Sequence, residues 1–215
     1  MYLSRVKIDV SNRRKVKDLN HLGAYHKWVE DSFPNEVKDG YRSRKLWRID
    51  QLGNNSYLLI LSQEKPDKEN LEKFGVKGTA ETKDYNVLLN QLQEGDKLRF
   101  RLVLNPVMSL SSGKNSGKRG RVIPLVTAEQ QLQFLKDRAA KHGFSVNDDE
   151  VIVTGRSFEV LRRKNQKPLK ICTAAYSGLL TIENLELFKK ALTNGIGKKK
   201  AFGCGLLTVI PGRTE

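Results

Sequence analysis

Metal-ligating and redox-active residues are scarce in this chain. Among 215 residues the only cysteines are Cys172 and Cys204 and the only histidines are His21, His26 and His142. No two of these five stand at a CxxC or HxxxH spacing, so neither a transition-metal site nor a cofactor is expected. Two cysteines fit free thiols in a reducing compartment better than a disulfide scaffold. Long apolar runs are missing as well. No uninterrupted stretch approaches the ~18 residues that span a bilayer, and residues 1–10 carry Arg5, Lys7 and Asp9 where a signal peptide needs an apolar core. The expectation is a cytoplasmic protein with no membrane partner.

Acid is the third shortage. Asp and Glu number 24 against 39 Lys and Arg, a net charge of +15. With 38% hydrophobic residues the chain has enough apolar surface to fold, so the excess charge calls for a polyanionic partner rather than disorder. The charge is also segregated. Residues 101–128 and 160–182 each hold five basic residues and no acid, whereas residues 51–100 carry seven basic and eight acidic ones. Acid-free basic segments beside a neutral region fit a nucleic-acid-binding face.

Hydrophobic periodicity predicts an α+β chain. Residues 2–10 alternate as a strand, and a basic turn leads into a helix from about Asp18, with Leu19, Leu22, Tyr25 or His26, and Val29 at helical spacing until Pro34 stops it. Residues 44–50 and 56–62 read as a hairpin about Leu52-Gly53-Asn54-Asn55. Residues 65–83 are charged and weakly patterned, 85–92 form a short element, and 97–105 alternate as another strand. That order makes one ferredoxin-like unit. Next, Ser, Gly and Asn mixed with Lys114, Lys118, Arg119 and Arg121 predict a flexible basic hairpin. The second half repeats the rhythm: a strand at 121–126, a helix at 127–142 with Thr127 as its cap, strands around the basic turn Arg162-Arg163-Lys164, a helix at 182–192 and a final strand. Two similar domains in tandem follow, residues 1–105 and 106–215.

Near the end, Gly195, Gly197, Gly203 and Gly205 surround Lys198, Lys199 and Lys200. Backbone able to approach closely beside concentrated positive charge suits a phosphate chain. Equally, Gly195 reads as a helix C-cap and Gly203 and Gly205 as a bulged strand entry.

Taken together, these pieces resemble the CasE family of CRISPR-associated endoribonucleases, which process precursor CRISPR RNA in type I-E systems. The resemblance runs end to end. It is carried by Met1-Tyr2-Leu3-Ser4, Leu22-Gly23-Ala24-Tyr25-His26 leading to Phe33-Pro34, Arg101-Leu102-Val103-Leu104-Asn105-Pro106, Arg121-Val122-Ile123-Pro124-Leu125, Gly195-Ile196-Gly197, and Phe202-Gly203-Cys204-Gly205-Leu206-Leu207. It implies two tandem ferredoxin-like (RRM-like) domains and a basic β-hairpin that enters the groove of a repeat stem-loop. It further implies metal-independent cleavage at the 3′ base of the stem, retention of the product, and membership of a Cascade-type complex, with a monomer when isolated.

Elementary chemistry agrees. RNA cleavage without a metal is most simply achieved by attack of the 2′-hydroxyl on the adjacent phosphate, which needs proton transfer and nearby cations. Histidine titrates near neutrality and suits the first need. His26 is the position matched to the family, and the residues leave open whether it serves as acid or base. Family members often carry a tyrosine one helical turn earlier, where this chain has Gly23; a mid-helix glycine there suggests close approach of RNA. Tyr25, Lys27 or the loop lysines are the candidates for the missing second group. RNA contacts are expected from Lys114, Lys118, Arg119, Arg121, Arg162, Arg163, Lys164, Gly195, Gly197, Lys198, Lys199, Lys200 and Gly203. His21 reads as solvated and His142 as a residue of a helix C-terminus.

The rival reading is a stem-loop-binding module without catalysis, which charge alone does not separate from a nuclease. If the hairpin holds phosphates, neutralising Lys114, Lys118, Arg119 and Arg121 together weakens stem-loop binding and flattens the dependence of log K on log salt, because fewer counterions are released. Filter binding over a salt series reads this directly; an unchanged slope would rule the hairpin out.

Overall fold

The computed structural model describes residues 1–110, 120–162 and 165–211. Lys114, Lys118, Arg119, Arg163 and Lys164 lie outside these. The chain forms two antiparallel sheets of like topology. In the first half, β1 (Tyr2–Lys7) is followed by a helical turn α1 (Arg13–Val16), α2 (Leu22–Asp31) and α3 (Pro34–Lys38), then β2 (Leu46–Leu52), β3 (Asn55–Ser62), α4 (Lys68–Leu71), β4 (Glu81–Asp84) and α5 (Asn86–Gln91). Their strands lie in the order β2-β3-β1-β4.

In the second half come β5 (Lys97–Leu104), the hairpin β6 (Val107–Ser109) and β7 (Val122–Pro124), α6 (Ala128–Lys141), β8 (Phe144–Ser145), β9 (Val151–Leu161), β10 (Leu169–Ile182), α7 (Leu185–Asn194) and β11 (Thr208–Pro211). Here β11, β5 and β10 are neighbours, and β10 pairs on its other side with β8 and β9. Each sheet therefore carries the strand order of a ferredoxin-like βαββαβ unit.

Strand pairing moves one element from where the sequence reading put it. Lys97–Leu104, assigned above to the first unit, pairs with β10 and β11 and so belongs to the second sheet. The outer strand of the first sheet beside β1 is instead β4, inside the stretch read as unpatterned. All four of its residues are exposed, so it has no apolar alternation to betray it. Backbone pairing holds it to β1, with Ser4 and Thr82 hydroxyls 2.9 Å apart and Arg5 3.0 Å from Glu81.

The elements end where local chemistry says they should. Thr127 and Gln130 form a reciprocal capping box at the start of α6, and Asn184 caps α7 by accepting from Leu187 N–H at 2.9 Å. Two apolar clusters fill the interior, and each mixes residues of both sheets. One joins Leu46 and Leu61 to Phe100, Leu104, Phe188 and Ile196; the other joins Trp28, Val29, Trp47 and Ile60 to Leu161 and Ile171.

The strongest polar link between the sheets is Arg48 of β2. Its Nε and Nη2 donate to the Asp50 carboxylate at 2.6 and 2.8 Å, its Nη1 to the carbonyls of Arg101 and Leu206 at 2.9 and 2.8 Å, and its Nη2 to Thr208 Oγ1 at 2.8 Å. All five guanidinium hydrogens are thus used, which is what permits a charge 2% exposed to stay buried. Arg48→Leu strands the Asp50 carboxylate and two carbonyls. Breaking a buried pair from one side costs about 3–5 kcal/mol, so urea unfolding should show a loss of that size; a loss under about 1 kcal/mol would show that the sheets are held without it.

Candidate active site

His26 stands in the second turn of α2. His21 precedes the helix as its N-cap: its Nδ1 accepts from Gly23 N–H at 3.0 Å, and its ring folds back over the helix start. A Cβ on Gly23 would lie 2.9 Å from His21 Cε1 and 3.4 Å from the Arg162 carbonyl oxygen. A side chain there would require the His21 ring to shift, and His21, read from sequence as solvated, is a capping group. His142 is the C-cap of α6, where burial lowers its pKa ahead of the effects of Lys200 and Arg138.

The His26 side chain is 32% exposed. Its ring meets the Phe202 ring edge-on at 5.6 Å, and its Nδ1 is 4.0 Å from Glu30 Oε1. Burial holds its pKa below the ordinary 6.5; Glu30 acts against that shift, and Arg42 and Lys45 reinforce it. The imidazole is thus mainly neutral near pH 7 and has cations beside it. Arg42 and Arg44 are exposed on the link between α3 and β2, and sequence reasoning missed both because that link has no periodic pattern.

Tyr25 and Lys27 face elsewhere. Tyr25 stacks on Trp47 at 6.0 Å and leans on Trp28 at 6.4 Å; burial, then Glu159, raises its pKa. It walls a cleft of about 620 Å³ together with Trp47, Arg156, Phe158 and Phe202. His26 lies outside that cleft wall. Lys27 is exposed and paired with both oxygens of Asp31 at 2.8 Å.

The glycine loop reaches the site through its own packing. Gly195, Gly197, Gly203 and Gly205 all have φ between +71° and +88°. A Cβ at Gly203 would sit 3.0 Å from the Trp47 ring, and one at Gly205 only 2.5 Å from the Ile196 carbonyl oxygen. Backbone hydrogen bonds lock the loop, Ile196 N–H to Gly205 O at 2.9 Å and Gly205 N–H to Val103 O at 2.7 Å, while Trp47 Nε1 donates to Ala201 O at 3.0 Å. The result presents Phe202 to His26. The structural reading of the glycines is seen here: they shape the chain end, and Gly195 caps α7. Of the lysines, Lys198 is exposed, Lys199 adopts a left-handed backbone with φ 60°, and Lys200 donates to the Asn194 carbonyl at 2.8 Å. Arg121 is exposed at the loop end of the β6–β7 ladder, where its carbonyl accepts from Leu110 N–H at 2.8 Å, and Arg162 is exposed just after β9. The structure therefore joins His26 to Phe202 of the glycine loop, with Arg42 acting on the ring electrostatically; Tyr25 meets the same loop from the cleft side, through Trp47, and Lys27 is turned to Asp31.

Comparison with known proteins gives consistent relatives. The CRISPR-associated endoribonuclease Cse3 of Thermus thermophilus is 27% identical over 98% of this chain and 100% of its own length. The CRISPR system Cascade subunit CasE of Escherichia coli is 31% identical over 56% of this chain and 61% of its own length. The structure of Thermus thermophilus Cse3 bound to an RNA representing a pre-cleavage complex superposes with a TM-score of 0.79, at 24% identity, over 98% of both chains. The sequence pattern of the CRISPR associated protein family matches residues 1–211. With that match over nearly its whole length, and with the same two-sheet fold, the chain belongs to the CRISPR associated protein family.

Proposed function

We propose that this protein is a metal-independent endoribonuclease that cleaves precursor CRISPR RNA at the 3′ base of the repeat stem-loop, keeps the product, and joins a Cascade-type complex in the cytoplasm. The relative named as an endoribonuclease aligns along its whole length. The observation that carries the reading is His26: a half-buried, mainly neutral imidazole held against the glycine loop with cations beside it.

In this reading the first sheet's helix supplies the proton-transfer group, and the second sheet supplies the basic hairpin and the glycine loop that hold the stem. The RNA 2′-oxygen attacks the neighbouring phosphorus and gives its proton to His26. The new P–O2′ bond closes a cyclic phosphate as the P–O5′ bond breaks, and the departing 5′-oxygen takes a proton from water to become a hydroxyl. Arg42 and Lys45 are the cations that bear on the imidazole, and Arg42, which is exposed, is the one placed to stabilise charge on the phosphorane.

A positioned general base contributes about 10²- to 10⁴-fold, so His26→Ala slows cleavage by that much while binding of the uncut stem-loop survives. In EDTA the wild type leaves a 5′-hydroxyl on one fragment and a 2′,3′-cyclic phosphate on the other. Because the neutral ring is the active form, kcat/KM falls as pH drops through the His26 pKa, which lies below 6.5. A requirement for Mg²⁺ with 5′-phosphate ends, or wild-type cutting by His26→Ala, would falsify this mechanism and favour a binding module.

A further inference from the structure

Glu30 lies one turn beyond His26 on α2, and its two oxygens face different partners. Oε1 is 4.0 Å from His26 Nδ1, and Oε2 accepts from Lys45 Nζ at 3.3 Å. Lys45 is itself fixed. Its side chain is 1% exposed, its ammonium is 2.5 Å from Glu36 Oε2 and donates to the Ser43 carbonyl at 3.2 Å, and it lies 4.9 Å from the centre of the Phe33 ring. Glu36 is equally buried and accepts from the backbone N–H of Ser43 at 3.0 Å and from its hydroxyl.

Two consequences follow. At 4.0 Å the contact is electrostatic rather than a hydrogen bond, and a carboxylate on that side biases the ring proton toward Nδ1, with Nε2 turned from it as the acceptor. The charges also oppose one another: Glu30, Glu36 and Lys45 together carry one net negative charge and Arg42 adds a positive one, so Glu30 is the negative group that faces a developing imidazolium. The charged groups bearing on the ring are Glu30 from its own helix and Arg42 and Lys45 from the link between α3 and β2; the glycine loop contributes the uncharged Phe202.

We propose that Glu30, anchored by Lys45, is a positioning residue for His26: it orients the ring through Nδ1, presents Nε2 to the RNA, and supplies the negative charge that proton transfer to the ring neutralises. This rests on the reading of His26 as the proton-transfer group.

Glu30→Gln tests it, because glutamine keeps the length and an acceptor for Lys45 while removing the charge. Titration of the His26 Hε1 resonance by NMR in the full-length, RNA-free chain should show a lower His26 pKa in the variant. Cleavage of a repeat stem-loop should show kcat reduced about tenfold, the lower end of what losing a supporting carboxylate costs, with KM unchanged and the acid limb of kcat/KM displaced to lower pH. Glu30→Asp, which keeps the charge, should bring the titration back toward that of the wild type. An unmoved His26 titration in Glu30→Gln overturns the proposal, as does a raised KM with unchanged kcat. The titration needs no catalysis, so a wild type that fails to cut refutes the nuclease reading while the NMR result still decides the Glu30 contact.

Discussion

A buried guanidinium joins the two sheets, and much of the site depends on that joint. Arg48 leaves the first sheet and ends on the carbonyls of Arg101 and Leu206 and the hydroxyl of Thr208 in the second. These are directional bonds with every donor used, so they fix the spacing and angle of the sheets more tightly than apolar contact alone. Asp50 balances the charge from within the same strand. The next residue inward along the strand, Trp47, holds the glycine loop through its indole N–H and the face of its ring. One short stretch of β2 therefore sets both the joint and the position of the loop that meets His26.

The surroundings of His26 balance opposing effects. Burial and two cations favour the neutral ring, while Glu30 favours the imidazolium. The net effect is a pKa below the ordinary imidazole value, with burial the largest cause. Lys45 and Glu36 can be buried close to this histidine because each is paired, and the pair holds Glu30 in place.

The glycine loop shows how backbone geometry dictates residue choice. Its glycines are demanded by left-handed backbone and by contacts a Cβ would violate, most severely at Gly205. The same conformations leave Lys198 exposed and carry Phe202 to the imidazole.

What the sequence determined by itself was whatever repeats along the chain or clusters within it. Apolar alternation in residues 97–105, the helical spacing around His26, the Thr127 cap and the acid-free basic segments were all legible, because each depends on neighbours within a few residues. The end-to-end family resemblance located His26. Tertiary structure decided the rest. Strand β4 has four exposed residues and exists only because β1 offers it a backbone ladder. Lys97–Leu104 alternates identically whichever sheet it joins, so only pairing with β10 and β11 assigns it. His21 over Gly23, Arg48 across the sheets, and Glu30, Lys45 and Arg42 around His26 bring together residues from separate segments, or orient side chains in ways that no periodicity encodes. Local periodicity reports which face of an element is apolar, whereas the meeting of charges across the fold is fixed only when the faces have packed.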